Sequence, residues 1–242
     1  AGVIQKIDPT VKIDFSKRLS DDPSFRRSIY QDEVHTFNEY VSQPTVGHPP
    51  LSDIGAALTN TIFYERLGVV RDDHAYGLFS VIVASVLIGV FFYWICSLYG
   101  FFPSLIATIA LGTTPIFWAE AHNNIKDIPQ LVFFSLAVFI FWKGISSQTK
   151  KWIFISAIFA GCALVTKFNI LFLPFILGPW FVLYFLKSPE NRRKKYLQWW
   201  WIFLIYPVIM LAIFFTTWPP LWHNSIENVL GIFGYYKDIG TN

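Results

Sequence analysis

Four polar clusters in this chain carry residue types that could do chemistry. The first is Asp32-Glu33, with Glu39 a short stretch further on. The second is His48 in Gly47-His48-Pro49-Pro50-Leu51, with Asp53 and Arg66 following. The third runs Glu120-Ala121-His122-Asn123-Asn124-Ile125-Lys126-Asp127, and the fourth is Trp218-Pro219-Pro220-Leu221-Trp222-His223. A carboxylate can take a proton from an acceptor hydroxyl, while Lys, Arg or a metal ion neutralises a departing phosphate. Acids, a few cations and many aromatics beside an apolar surface suit a sugar or phosphate substrate presented by a lipid.

Each cluster also has a plainer reading. Adjacent acids are most often a solvated loop pair, and His48 could simply lock its proline corner with a hydrogen bond. Arg66 and Lys167 could snorkel. Asp127 could cap the helix that follows, since an acid at a helix N-terminus is stabilising by about 0.3–1 kcal/mol. His223 in its Trp/Pro setting reads as an interfacial residue, and no His/Cys/Asp spacing is strong metal evidence.

The elements that must position these residues begin at the double proline. Pro49 and Pro50 set φ twice and remove two N–H donors, which makes a rigid corner. Ser52 and Asp53 then offer an N-cap and an acidic first turn. Ile54, Leu58 and Ile62 recur at i, i+4, i+8, one apolar helix face, with Phe63 and Leu67 beside it. The spacing predicts an amphipathic helix lying against a membrane.

Composition sets the class. Of 242 residues, 54% are hydrophobic, 19% aromatic and 14% charged, against roughly a quarter charged in a soluble domain. No charged residue occurs from Ala75 to Ala119, a run long enough for two spans of about 20 residues. Gly100 and Pro103 mark the turn between them. Six apolar segments are expected, at about 76–98, 102–119, 127–145, 151–167, 169–186 and 196–218, forming an all-α polytopic transmembrane bundle. Residues 1–75 form a loop region containing the juxtamembrane helix, and 219–242 a further loop. Nothing within the chain would carry residues 1–75 across a membrane, so the sequence reads as a piece of a longer protein. Cys96 and Cys162 lie in apolar runs and read as buried thiols. The net charge of +3 does not indicate nucleic acid.

The basic residues have a better use. Lys143, Lys150 and Lys151 fall in one loop, and Lys187, Arg192, Arg193, Lys194 and Lys195 in another. These are 8 of the 11 Lys and Arg beyond position 75, and they place both loops in the cytoplasm. Parity then gathers residues 1–75, 120–126, 167–169 and 219–242 on the opposite, extracytoplasmic face. Trp199-Trp200-Trp201 would form an inner-leaflet aromatic belt.

Asp32-Glu33-Val34-His35 followed by His48-Pro49-Pro50-Leu51 resembles the first luminal loop of the protein O-mannosyltransferases, which carry Asp-Glu-Val-His and then His-Pro-Pro-Leu-Gly-Lys. The wider superfamily of GT-C glycosyltransferases, the lipid A aminoarabinose transferases among them, shares a Pro-Pro-Leu corner. It also has an acid on a second outer loop, here Asp127 in Ile125-Lys126-Asp127-Ile128-Pro129. Ser52-Asp53 stands where the mannosyltransferase pattern has Gly-Lys, so neither mannose nor a protein acceptor follows from the resemblance.

The resemblance implies an integral multi-pass membrane enzyme of a bacterial, archaeal or endoplasmic reticulum membrane. It would take a sugar from a polyprenyl or dolichyl phosphate carrier and deliver it, with inversion, to a hydroxyl of a protein, lipid or glycan. Asp32 would activate that hydroxyl. Glu33 and Asp127 would orient the acceptor or bind a divalent cation. Lys126, Arg66 or Lys167 would hold the lipid phosphate, and His48 would contact substrate or brace the corner. Two other readings stay open, a transporter or channel module and a non-catalytic member of the same fold. Against transport, no charged residue sits at the centre of any of the six segments, where a transport path usually has one.

Overall fold

The computed structural model describes residue 28 and residues 49–222, 226–232 and 234. Asp32, Glu33, His48 and His223 lie outside the described residues.

Helix α1 spans Leu51–Asn60 and passes without a break into a π-helical turn, Thr61–Arg66. It starts one residue before the expected cap. The Leu51 N–H donates to the Val165 carbonyl at 3.0 Å, and the buried Ser52 hydroxyl has no hydrogen-bond partner among the described residues. A backbone group from a distant segment thus does what the Ser52 side chain was expected to do. The apolar stripe of α1 faces outward, with Ile54 51% and Leu58 59% exposed. Its inner face is small and polar: Gly55, Ala56, Thr59 and Asn60 are buried, and Gly55 lies against the Phe79 ring. That polarity suits a helix bathed in lipid, where close approach rather than apolar burial holds helices together.

Helix α2, Asp72–Tyr99, opens with a buried carboxylate. The Asn60 amide donates to Asp72 Oδ1 at 2.7 Å and to the Asp72 carbonyl at 3.0 Å, and the Ser28 hydroxyl donates to Oδ1 at 2.7 Å. These bonds tie α1 to the start of α2. Gly100 ends α2 at φ +87°, the turn expected there.

The second apolar segment is not one straight rod. Helix α3, Phe101–Thr113, and helix α4, Pro115–Asn123, meet at a 57° bend. Pro115 at the start of α4 supplies no N–H and disfavours helical Thr114, so the rod breaks there. The pair brings the chain from the far end of α2 back to Gly77 and Ser80, and so returns it across the thickness of the bundle.

Helices α5, Asp127–Ser146, and α6, Lys150–Leu164, form a tight hairpin. After it come a 3₁₀ turn, Phe168–Phe172, and helix α7, Leu173–Lys187. Helix α8, Glu190–Leu197, carries the basic run, and helix α9, Trp200–Thr217, ends in the 3₁₀ turn Pro219–Trp222. Among the described residues four stretches are long and apolar enough to cross a membrane alone, five with the bent pair. Helix α6 has only 15 residues, about 22 Å of rise, yet the segment after it reaches the start of α5. The six expected segments are therefore all helical, one of them broken and one short.

Two features set the ends of the bundle. The core threads α5, α6, α7 and α9, with Ala137, Ile153, Ala160, Val165, Ile170 and Ile202 buried. At one end the basic loops meet: the Tyr196 hydroxyl donates to the Ile145 carbonyl at 2.9 Å, and the Lys150 ammonium lies over the Trp199 and Trp201 rings. Trp199 is buried there, so of the three tryptophans only Trp200, 64% exposed, faces outward as a belt residue would. At the other end Phe168 packs against Phe214 and Trp218, which brings the described part of the fourth polar cluster level with Lys167.

Candidate functional site

The turn from α4 into α5 is built by Asn124. Its side-chain oxygen accepts the Lys126 N–H at 3.0 Å and the Asp127 N–H at 2.9 Å, capping α5 from outside. The choice left open for Asp127 is thereby narrowed, because its carboxylate makes no cap bond. It points away from its own helix: Oδ2 accepts the Asn124 amide at 2.8 Å and Oδ1 accepts the Lys167 ammonium at 2.5 Å. Lys126 turns the other way, to Asp53 of α1 at 3.6 Å.

This turn is seated on α2. The Ser80 hydroxyl donates to the Asn124 carbonyl at 3.3 Å. A Cβ on Gly77 would stand 3.0 Å from the His122 carbonyl oxygen, so any larger residue would press the end of α4 back by a few tenths of an ångström. Helices α1, α2, α4 and α5 and the segment after α6 thus converge on a few polar side chains.

Between them lies an open depression of about 540 Å³, lined by Glu120, Asn124, Lys126, Asp127, Thr166 and Lys167 with Asn123 and Ile125. Both lysines are held by carboxylates whose side chains are 40% to 50% exposed. Pairs so exposed are loosely bound, worth about 0–1 kcal/mol each. A phosphate entering the depression could therefore take either ammonium from its partner at small cost. Glu120 is half-buried and stands across from them.

Of the residues singled out in the sequence, Lys126, Asp127 and Lys167 come together, with Asp53 beside them. Arg66 sits exposed at the end of its π-helical turn and does not line the depression. Among the described residues no group of three or more His, Cys, Asp or Glu is placed to hold a metal ion. Cys96 and Cys162 are both free and only partly buried. Glu120 and Asn124 stood inside the third cluster without an assigned role. The signal for Asn124 was there to read: an Asn shortly before an apolar helix bonds the backbone N–H groups two and three residues on, an Asx turn that leads into the helix.

Neither a curated protein nor a solved structure matches the chain. The family model for dolichyl-phosphate-mannose-protein mannosyltransferases matches residues 47–219, from just before the proline corner to the end of the last long helix, taking in every residue of the depression. The chain thus belongs to that family of GT-C type membrane glycosyltransferases.

Proposed function

We propose that this membrane glycosyltransferase takes its sugar from a polyprenyl or dolichyl phosphate carrier and passes it to an acceptor hydroxyl on the extracytoplasmic face. One observation carries the reading. Two ammonium groups, Lys126 and Lys167, and two carboxylates, Glu120 and Asp127, from helix α4, the turn into α5 and the segment after α6, line an open depression at the end of the bundle opposite the basic loops. The positive-inside bias supports the choice of face.

The transfer is a single displacement. The acceptor oxygen bonds to the anomeric carbon as the bond from that carbon to the carrier's phosphate oxygen breaks, which inverts the centre. Asp32 takes the hydroxyl proton, and Lys126 and Lys167 offset the charge gathering on the leaving phosphate. Glu33 and Asp127 orient the acceptor. If a divalent cation were bound, Glu33 and Asp127 would hold it, and Lys167 would have to leave Asp127.

Asp32→Asn and Glu33→Gln in the full-length protein separate base from orienter. A positioned base contributes on the order of 10²–10⁴ in rate, whereas a lost orienting hydrogen bond costs about 1.5–3 kcal/mol when charged. Transfer from the lipid-linked donor should fall much further for Asp32→Asn, with donor binding kept in both. Near wild-type transfer by Asp32→Asn would remove Asp32 as the base.

A further inference from the structure

Asp127 is oriented by a side chain that nothing so far has assigned a part in the reaction. We infer that Asn124 is a positioning residue: its amide aims the Asp127 carboxylate into the depression while its carbonyl oxygen caps α5. The assignment rests on the proposed role of Asp127.

Asn124 uses three groups at once. The side-chain oxygen takes two backbone N–H groups, the side-chain nitrogen donates to Asp127 Oδ2, and the backbone carbonyl accepts from Ser80 of α2. The amide plane is fixed by the two cap bonds, so its nitrogen has one direction to point, toward Asp127. Lys167 approaches the other carboxylate oxygen from the far side of the site. The carboxylate is thus gripped at both oxygens, by a neutral donor rooted in α2 and α5 and by a cation that a phosphate could draw away. When Lys167 turns to an arriving phosphate, Asn124 alone keeps Asp127 in place. A simple cap needs none of this, because serine, threonine or aspartate would serve there.

Charged groups around Asp127 are Lys167 from the segment after α6, Lys126 beside it, Asp53 of α1 beyond Lys126, and Glu120 of α4 across the depression. Asn124→Asp keeps oxygen acceptors for both N–H groups but puts a second carboxylate against the first. Two carboxylates in contact do not both ionise freely. Asn124→Ser also keeps a cap and is too short to reach Asp127 as well.

The test is the pH–rate profile of sugar transfer from a polyprenyl-phosphate donor by the full-length protein in lipid nanodiscs. Accumulation and thermal melting are measured in parallel. Asn124→Asp should still accumulate and should melt somewhat below wild type at neutral pH, since one carboxyl of the pair then titrates higher in the folded than in the unfolded protein, with the acid limb of its profile moved about one pH unit or more toward alkaline. Asn124→Ser should lose on the order of tenfold to a hundredfold in kcat with little change in donor KM. Asn124→Asp added to Asp127→Asn should cost nothing beyond Asp127→Asn alone. A wild-type profile for Asn124→Asp, or a loss in Asn124→Ser that only follows the amount of folded protein, would make Asn124 a cap and nothing more. Should Asn124→Asp fail to fold, Asn124→Ser decides. Wild-type transfer by Asp127→Asn is a separate result, and it would overturn the reading of the site together with this assignment.

Discussion

Lys167 Nζ lies 2.5 Å from Asp127 Oδ1, joining residues 40 positions apart at the two open ends of the α5–α6 hairpin. The pair shows that the short helix α6 brings the chain back to the level at which α5 began. It also means that a carboxylate at a helix start is committed to a neighbouring cation and not to its own helix. Asp127→Asn should therefore leave accumulation nearly normal, with a stability change within about 1 kcal/mol, because Asn124 keeps the cap. A thermal melt of the purified variant checks this, and a collapse in its folded yield would return Asp127 to a structural role.

The lysines make a different prediction. If they receive the lipid phosphate, Lys167→Gln and Lys126→Gln should each raise the donor KM, on the order of tenfold to a hundredfold. The KM for the acceptor should change little. Competition by the sugar-free polyprenyl phosphate should weaken in parallel. Equal losses for donor and acceptor would place these lysines elsewhere in the reaction.

Much of this was legible beforehand, and the reasons are local. Proline chemistry located the corner before α1, and charge-free runs located the helices, because lipid imposes both composition and length. The positive charge told which loops share an end, and Tyr196 bonded to Ile145 shows that they do. What could not be read were the long-range partners. Ser52 looked like a cap, yet Val165, more than a hundred residues away, satisfies the helix start. The bend at Thr114-Pro115 was hidden inside a run apolar enough to pass as one rod. Lys167 looked as much like a snorkelling residue as a partner of Asp127, since periodicity says nothing about which segments meet at a helix end.

Orientation can be tested with single cysteines in a background lacking Cys96 and Cys162. Ser147→Cys and Asn191→Cys sit exposed at the basic end, and His74→Cys is exposed at the start of α2. In intact cells an impermeant thiol reagent should label His74→Cys alone. Ser52 is unsuitable for this, being fully buried. Labelling in the reverse pattern would put the depression in the cytoplasm.

Tyr196 offers a check on the basic end that leaves the chemistry alone. It is 2% exposed, and its hydroxyl bonds the last turn of α5. Tyr196→Phe should destabilise the protein by about 0.5–1.5 kcal/mol, because the Ile145 carbonyl loses one donor and keeps the Gln148 N–H at 3.2 Å. Its donor KM should match wild type. A shifted KM would mean that the two ends of the bundle are coupled.

The most direct test is a single-turnover measurement of sugar transfer from a polyprenyl-phosphate donor by the full-length protein, comparing wild type with Asp127→Asn. Donor affinity is measured on the same samples. The account predicts transfer by the wild type, a fall of about tenfold to a hundredfold in the variant, and donor binding retained. Transfer by Asp127→Asn within a factor of a few of wild type would contradict it, and would mean that the chemistry is done outside the depression where Lys126, Asp127 and Lys167 meet.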